Sequence, residues 1–120
     1  MKPINISELT PFNATHPGEM LADELEARAI KQQIFAQQIG MQKSQLNEII
    51  KGKRSINAEV AVLIEASLGI SADFWLNAQN NYDIALVKIQ HKVQKRIAAI
   101  ATWNSEKLAM TTQTKRANLS

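Results

Sequence analysis

The stretch from Gln32 to Lys51, QQIFAQQIGMQKSQLNEIIK, constrains this chain more than any other, because its small and apolar residues are spaced for two short helices that touch. Phe35, Ile39, Met41, Leu46 and Ile49 recur at the inward positions of a helical repeat on either side of Gly40. Ala36 stands where two helices approach closely, and Gly40 stands where the chain reverses and needs a backbone without a Cβ. Two short helices joined at a steep angle by a Gly-containing turn put the second helix outside the domain, where it can enter a DNA major groove. Double-stranded DNA is therefore the leading candidate partner.

The same spacing assigns faces on the second of these helices. Leu46, Ile49 and Ile50 share one arc, which turns Ser44, Gln45, Asn47, Glu48 and Lys51 away from the core. In such a motif the N-terminal residues of the second helix reach base edges. Gln42, Lys43 and Ser44 are the expected base contacts, with Asn47 one turn further in; Gln and Asn suit adenine, and Lys suits guanine acceptors. Lys51, Lys53 and Arg54 suit phosphates, as do Gln32 and Gln33 together with the backbone amides that open the preceding helix. Glu48 brings a negative charge to this face, and accepts from a cytosine amine or pairs with Lys51. Lys31 and Gln42 occupy N-cap positions that Ser or Thr would fill better. The competing reading is a merely solvated polar face.

Charge is distributed to match. The net charge of +3 says little by itself. Between Lys31 and Arg54, however, five basic residues face one acid, Glu48. The segment before it carries Glu19, Asp23, Glu24 and Glu26 against Arg28, and from Lys88 onward seven basic residues face Glu106. A basic head, an acidic first helix and a basic tail point to different partners on different faces, although a solvated helix face accounts equally well for the tail.

The chain of 120 residues holds no cysteine, which excludes disulfides and thiolate zinc sites and suits a reducing compartment. MKPINISELTPF has no continuous apolar stretch of the secretory kind, and the longest apolar runs, 60–64 and 97–101, are too short to span a bilayer. No membrane association and a cytoplasmic location are expected. All three prolines lie within the first 17 residues, and the glycines stand singly at 18, 40, 52 and 69. The expected organisation is an arm over 1–14, a helix-turn-helix DNA-binding domain over 15–81, a C-terminal helix over 82–104 and a polar, frayed tail over 105–120. Helix one opens at Pro17 with His16 or Thr15 as cap, and buries Met20, Leu21, Leu25 and Ala29. Helices two and three span 32–38 and 43–51, with Gly52 as a left-handed cap. Asn57 caps helix four, which runs to Gly69, and Ser71 caps helix five. Phe74, Trp75 and Leu76 read as core; Asn77, Gln79 and Asn80 either bond backbone near the reading head or face water. Leu86, Ile89, Val93, Ile97 and Ile100 continue at spacings of three and four along one long helix. That stripe exceeds what a five-helix core can cover and is the expected dimerisation seam. A dimer would dock on a palindrome with half-sites about 34 Å apart.

HPGEML at 16–21, the helix-turn-helix, NEIIKGKRSI at 47–56 and SADFWLNAQNNYD at 71–83 occur in that order. Over roughly residues 15–87 the chain resembles the HigA-type antitoxins of the Xre-type, lambda-repressor-like helix-turn-helix family. The resemblance implies an all-α, five-helix lambda-repressor-like domain, here extended by the long C-terminal helix. It also implies a homodimer that represses its own toxin–antitoxin operon and binds a cognate RelE-like, HigB-type mRNA-cleaving toxin. Such a toxin must be basic to hold RNA, so Glu19, Asp23, Glu24 and Glu26 are the expected toxin-facing residues.

Enzyme chemistry finds no support in the residues. His16 and His91 stand far apart without the paired spacing of metal ligands, neither Ser44 nor Ser71 lies in a nucleophile elbow, and no glycine-rich phosphate loop is present. Neither metal nor cofactor is expected. Two other functions fit the same residues: an orphan helix-turn-helix regulator without a toxin, and a protein-interaction module that has lost DNA binding.

Overall fold

A computed structural model describes residues 14–119 of the chain, with side chains through residue 109. The expected arm, apart from Ala14, lies outside the described residues. Among the described residues six helices follow one another: α1 (Pro17–Ala27), α2 (Gln32–Gln38), α3 (Lys43–Ile50), α4 (Ala58–Leu68), α5 (Ala72–Ile89) and α6 (His91–Leu119). No strand occurs among the described residues, and the fold is the all-α, lambda-repressor-like one. The chain divides between Leu86 and Val87 into two compact units.

In the first unit the helix ends are set by local hydrogen bonds. His16 caps α1, its Nδ1 accepting from the Gly18 N–H at 2.9 Å, with Pro17 at the first helical position. Asn57 Oδ1 accepts from the Val60 N–H at 2.9 Å to open α4. At α5, Ser71 Oγ accepts from the Asp73 N–H and the Glu65 carboxylate from the Ala72 N–H. Helices α1, α2 and α3 all end in the same way. The N–H groups of Ala29 and Ile30 return to the carbonyls of Glu26 and Leu25; those of Gly40 and Met41 return to Gln37 and Ala36; those of Gly52 and Lys53 return to Ile49 and Glu48. Each is a paired closure around a left-handed residue, with φ of +56° at Ala29, +69° at Gly40 and +77° at Gly52. Ala29 was expected on the inward stripe of helix one. It lies instead beyond the helix end, exposed, where the left-handed turn swings it away from the core.

The core gathers Leu21 and Leu25 from α1, Phe35, Ala36 and Ile39 from the α2 region, Leu46 and Ile49 from α3, Ile56, four residues of α4, and Trp75. Of the aromatic pair on α5 only Trp75 is fully buried; Phe74 is 48 % exposed. The expectation that both are core fails at Phe74: neighbours on a helix point about 100° apart, and the side that seats Trp75 in the core leaves Phe74 turned partly to solvent. Their rings meet edge to face at 5.2 Å.

In the second unit the expected single long helix is interrupted at Gln90. The Lys88 carbonyl accepts from Gln94 Nε2 at 3.1 Å, and a new helical turn starts where the N–H groups of Val93 and Gln94 both donate to the Gln90 carbonyl. A side-chain amide thus takes the carbonyl that an unbroken helix would offer to the Lys92 N–H. Helix α6 carries Val93, Ile97 and Ile100 along one side, with Ile97 49 % and Ile100 57 % exposed, and Lys107 sits over the Trp103 ring at 5.6 Å. Among the described residues no helix is long and apolar enough to cross a membrane.

Candidate nucleic-acid interface

The reading head is held from behind. Phe35, Ala36, Ile39, Leu46 and Ile49 are all buried, so the faces of α2 and α3 are fixed against the core and the turn at Gly40 has no latitude. Gly18 adds a constraint that sequence reasoning missed: a Cβ there would overlap the backbone carbonyl of Ile49. The start of α1 therefore backs directly onto the end of α3. A glycine in the first turn of a helix, where alanine is the better helix former, was the available signal.

With that face packed, Gln42, Lys43 and Ser44 emerge together as exposed side chains at the entrance of α3, and Asn47 follows half-buried. Neither Lys31 nor Gln42 makes a side-chain cap, which leaves the first amides of α2 and α3 without a side-chain acceptor. Gln32 and Gln33 are exposed at the start of α2, and Lys51, Lys53 and Arg54 are exposed around the end of α3. The base-reading and phosphate-binding candidates thus occupy the exposed positions of 32–54, alternating with the buried residues that fix α2 and α3 against the core.

Glu48 does not pair with Lys51. Its carboxylate accepts from Arg54 Nε at 2.8 Å, because the turn at Gly52 folds Arg54 back alongside α3. Both side chains are about half exposed, so the pair contributes little stability, within about 1 kcal/mol. Its effect is electrostatic: the one acid of the reading head is matched by a cation, and only Nε of the guanidinium is engaged.

Behind the head, His16 and Gln79 are buried polar residues, and Tyr82 is partly buried against His16. His16 is 6 % exposed; its ring meets Tyr82 edge to face at 4.7 Å and packs near Gly52. Burial lowers its pKa below the ordinary value, against the pull of Asp83 and Glu19 in the opposite direction. Gln79, whose role the sequence left open, accepts with Oε1 from the Ile56 N–H at 2.8 Å and donates with Nε2 to Asp83 at 2.9 Å. Asn77 and Asn80 are exposed.

The acidic residues of α1 lie elsewhere. Glu19, Asp23 and Glu26 are exposed, and Glu24 pairs with Arg28 at 3.1 Å across one helical turn. Of the apolar stripe, Leu86, Ile89 and Val93 are half-buried and Ile97 and Ile100 exposed. Among the described residues no cluster of His, Asp and Glu has the makings of a metal site.

Known proteins share this arrangement. A helix-turn-helix family matches residues 21–75. Virulence-associated protein A of Dichelobacter nodosus is 40 % identical over 77 residues, 62 % of this chain and 76 % of its own length. A HigA-family addiction module antidote protein from Coxiella burnetii superposes with a TM-score of 0.64 at 32 % identity, over 71 % of this chain and 91 % of that one. Antitoxin HigA of Pseudomonas aeruginosa, solved with the higBA promoter, gives 0.63 at 31 % identity over 69 % and 89 %. With a packed helix-turn-helix, an exposed reading face and relatives of this kind, the chain belongs to the HigA-type antitoxins of the Xre-type helix-turn-helix family.

Proposed function

We propose that this protein binds its operator as a homodimer, represses its own operon and neutralises a RelE-like, HigB-type mRNA-cleaving toxin. The observation that carries the reading is the joint exposure of Gln42, Lys43 and Ser44 at the entrance of α3 beside Lys51, Lys53 and Arg54. Such a surface offers base donors and acceptors flanked by cations for phosphates. The P. aeruginosa antitoxin solved with the higBA promoter supports the same use of the fold. The stripe from Leu86 to Ile100 supplies the dimer seam, and two copies satisfy a palindrome.

The decisive test is a band shift of the full chain on its own promoter against a scrambled duplex, across a salt series. Lys43→Ala should weaken operator binding by about 1–3 kcal/mol and relax base preference at one position. Equal affinity of the unmodified protein for both duplexes would end the repressor reading. For the toxin, exposed Glu19, Asp23 and Glu26 offer an acidic face to a basic partner, with Glu24 at its edge. Reversing Asp23 and Glu26 to lysine should slow association with the co-expressed neighbouring gene product at low salt while sparing operator affinity. A complex indifferent to both changes would remove α1 from the toxin interface.

A further inference from the structure

The loop after α3 is anchored locally on one side and at long range on the other. On its near side the N–H groups of Lys53 and Arg54 both reach the Glu48 carbonyl, at 2.8 and 3.2 Å. On its far side Ile56 is 2 % exposed, and its N–H has no helix or strand to donate to. That N–H is met by a side chain 23 residues further on, the carboxamide of Gln79, itself 5 % exposed on α5. The orientation of the amide follows from its partners: a backbone N–H can only donate, so Oε1 faces Ile56, and the Asp83 carboxylate accepts from Nε2. Both ends of Gln79 are thereby engaged, and Asp83 holds the amide in the rotamer that serves the loop.

We propose that Gln79 is a positioning residue for operator binding: by fixing Ile56 it holds the loop that presents Lys53 and Arg54 to the phosphate backbone. The proposal rests on the phosphate role given to those two residues above. It gives Asp83 a part as well, as the group that orients the amide. Gln79 makes no contact with DNA in this scheme. Its loss should therefore act on the sequence-independent part of binding, whereas loss of a base contact acts on discrimination.

The test uses the full chain and a duplex from its own promoter. Gln79→Met keeps the volume but leaves the Ile56 N–H without an acceptor. It should lower affinity about tenfold and flatten the slope of log K against log salt by roughly 0.9 for each phosphate contact loosened, while the operator-to-scrambled ratio stays within about twofold. The exchange variant Gln79→Glu with Asp83→Asn keeps an acceptor at position 79 for the Ile56 N–H, reverses donor and acceptor only in the bond between 79 and 83, and should restore the slope. In a Lys53→Ala, Arg54→Ala background, Gln79→Met should have no further effect. Should Gln79→Met fail to fold, Asp83→Ala, which frees the amide without emptying the core, carries the same expectation. A folded Gln79→Met protein with an unchanged slope, or an exchange variant that fails to recover it, overturns the role of Gln79 and leaves the phosphate contacts standing. An unchanged slope in Lys53→Ala, Arg54→Ala itself instead removes the phosphate assignment, and the proposal with it.

Discussion

Leu46 and Ile49 on α3, and Ile97 and Ile100 on α6, are each apolar pairs three residues apart, yet the first pair is fully buried and the second about half exposed. The same period is written twice and used differently. Periodicity fixes that a helix forms and which side is apolar; it does not say what covers that side. On α3 the cover comes from helices that the chain brings back within a few residues. Helix α6 runs from His91 to Leu119 without a reversal of its own.

Core truncation gives the largest expected contrast. Leu46→Ala should cost about 2–5 kcal/mol in urea denaturation, whereas Ile100→Ala at low protein concentration should stay within about 0.5 kcal/mol. Comparable losses at the two positions would mean that α6 is covered within its own chain and would erase the distinction.

The next largest effect concerns a second copy. If the α6 stripe seals a dimer, Ile97→Asp with Ile100→Asp should sediment as a folded monomer and lose about a hundredfold in operator affinity, as bivalent binding becomes monovalent. A dimer that survives both changes moves the seam elsewhere.

Two smaller effects sharpen the description of the packed unit. Because burial lowers the His16 pKa below its ordinary 6.5, the unfolded chain binds this proton more readily than the folded one. The contribution is complete above about pH 6.5 and is lost as pH falls from there through the lowered folded value. His16→Asn keeps a cap acceptor and should remove that share of the slope in urea midpoints measured between about pH 5 and 7.5; an unaltered slope would assign it to other groups. Smallest of all, Ala29→Gly should raise stability by about 0.5–1 kcal/mol, since a left-handed alanine carries strain that glycine does not. A loss on that substitution would show that the alanine methyl makes a contact worth more than the strain.

Much of this was legible in the residues. The caps His16, Asn57 and Ser71 and the left-handed Gly52 follow from short-range chemistry, and α2 spans the residues its pattern predicts. What escaped depended on partners distant in sequence or on competition for one group. The Gln79 bond to Ile56 crosses 23 residues. Arg54 reaches Glu48 only after the turn at Gly52, and Gln94 meets the Lys88 carbonyl across the break at Gln90. Phe74 and Trp75 are equally apolar, and only the third dimension assigns them to opposite fates.

The paired closures at the ends of α1 and α2 have a consequence for length. Each connector, Arg28–Lys31 and Ile39–Gln42, begins by returning hydrogen bonds to the helix behind it and ends by serving as the N-cap of the helix ahead. No residue is left over to absorb slack. One residue inserted in the Ile39–Gln42 connector would have to open either the paired closure behind it or the start of α3 ahead of it. The exposed side chains at the entrance of α3 are thus placed by counting as much as by chemistry, and exposed connector positions such as Arg28 and Lys31 should tolerate substitution far better than any change in number.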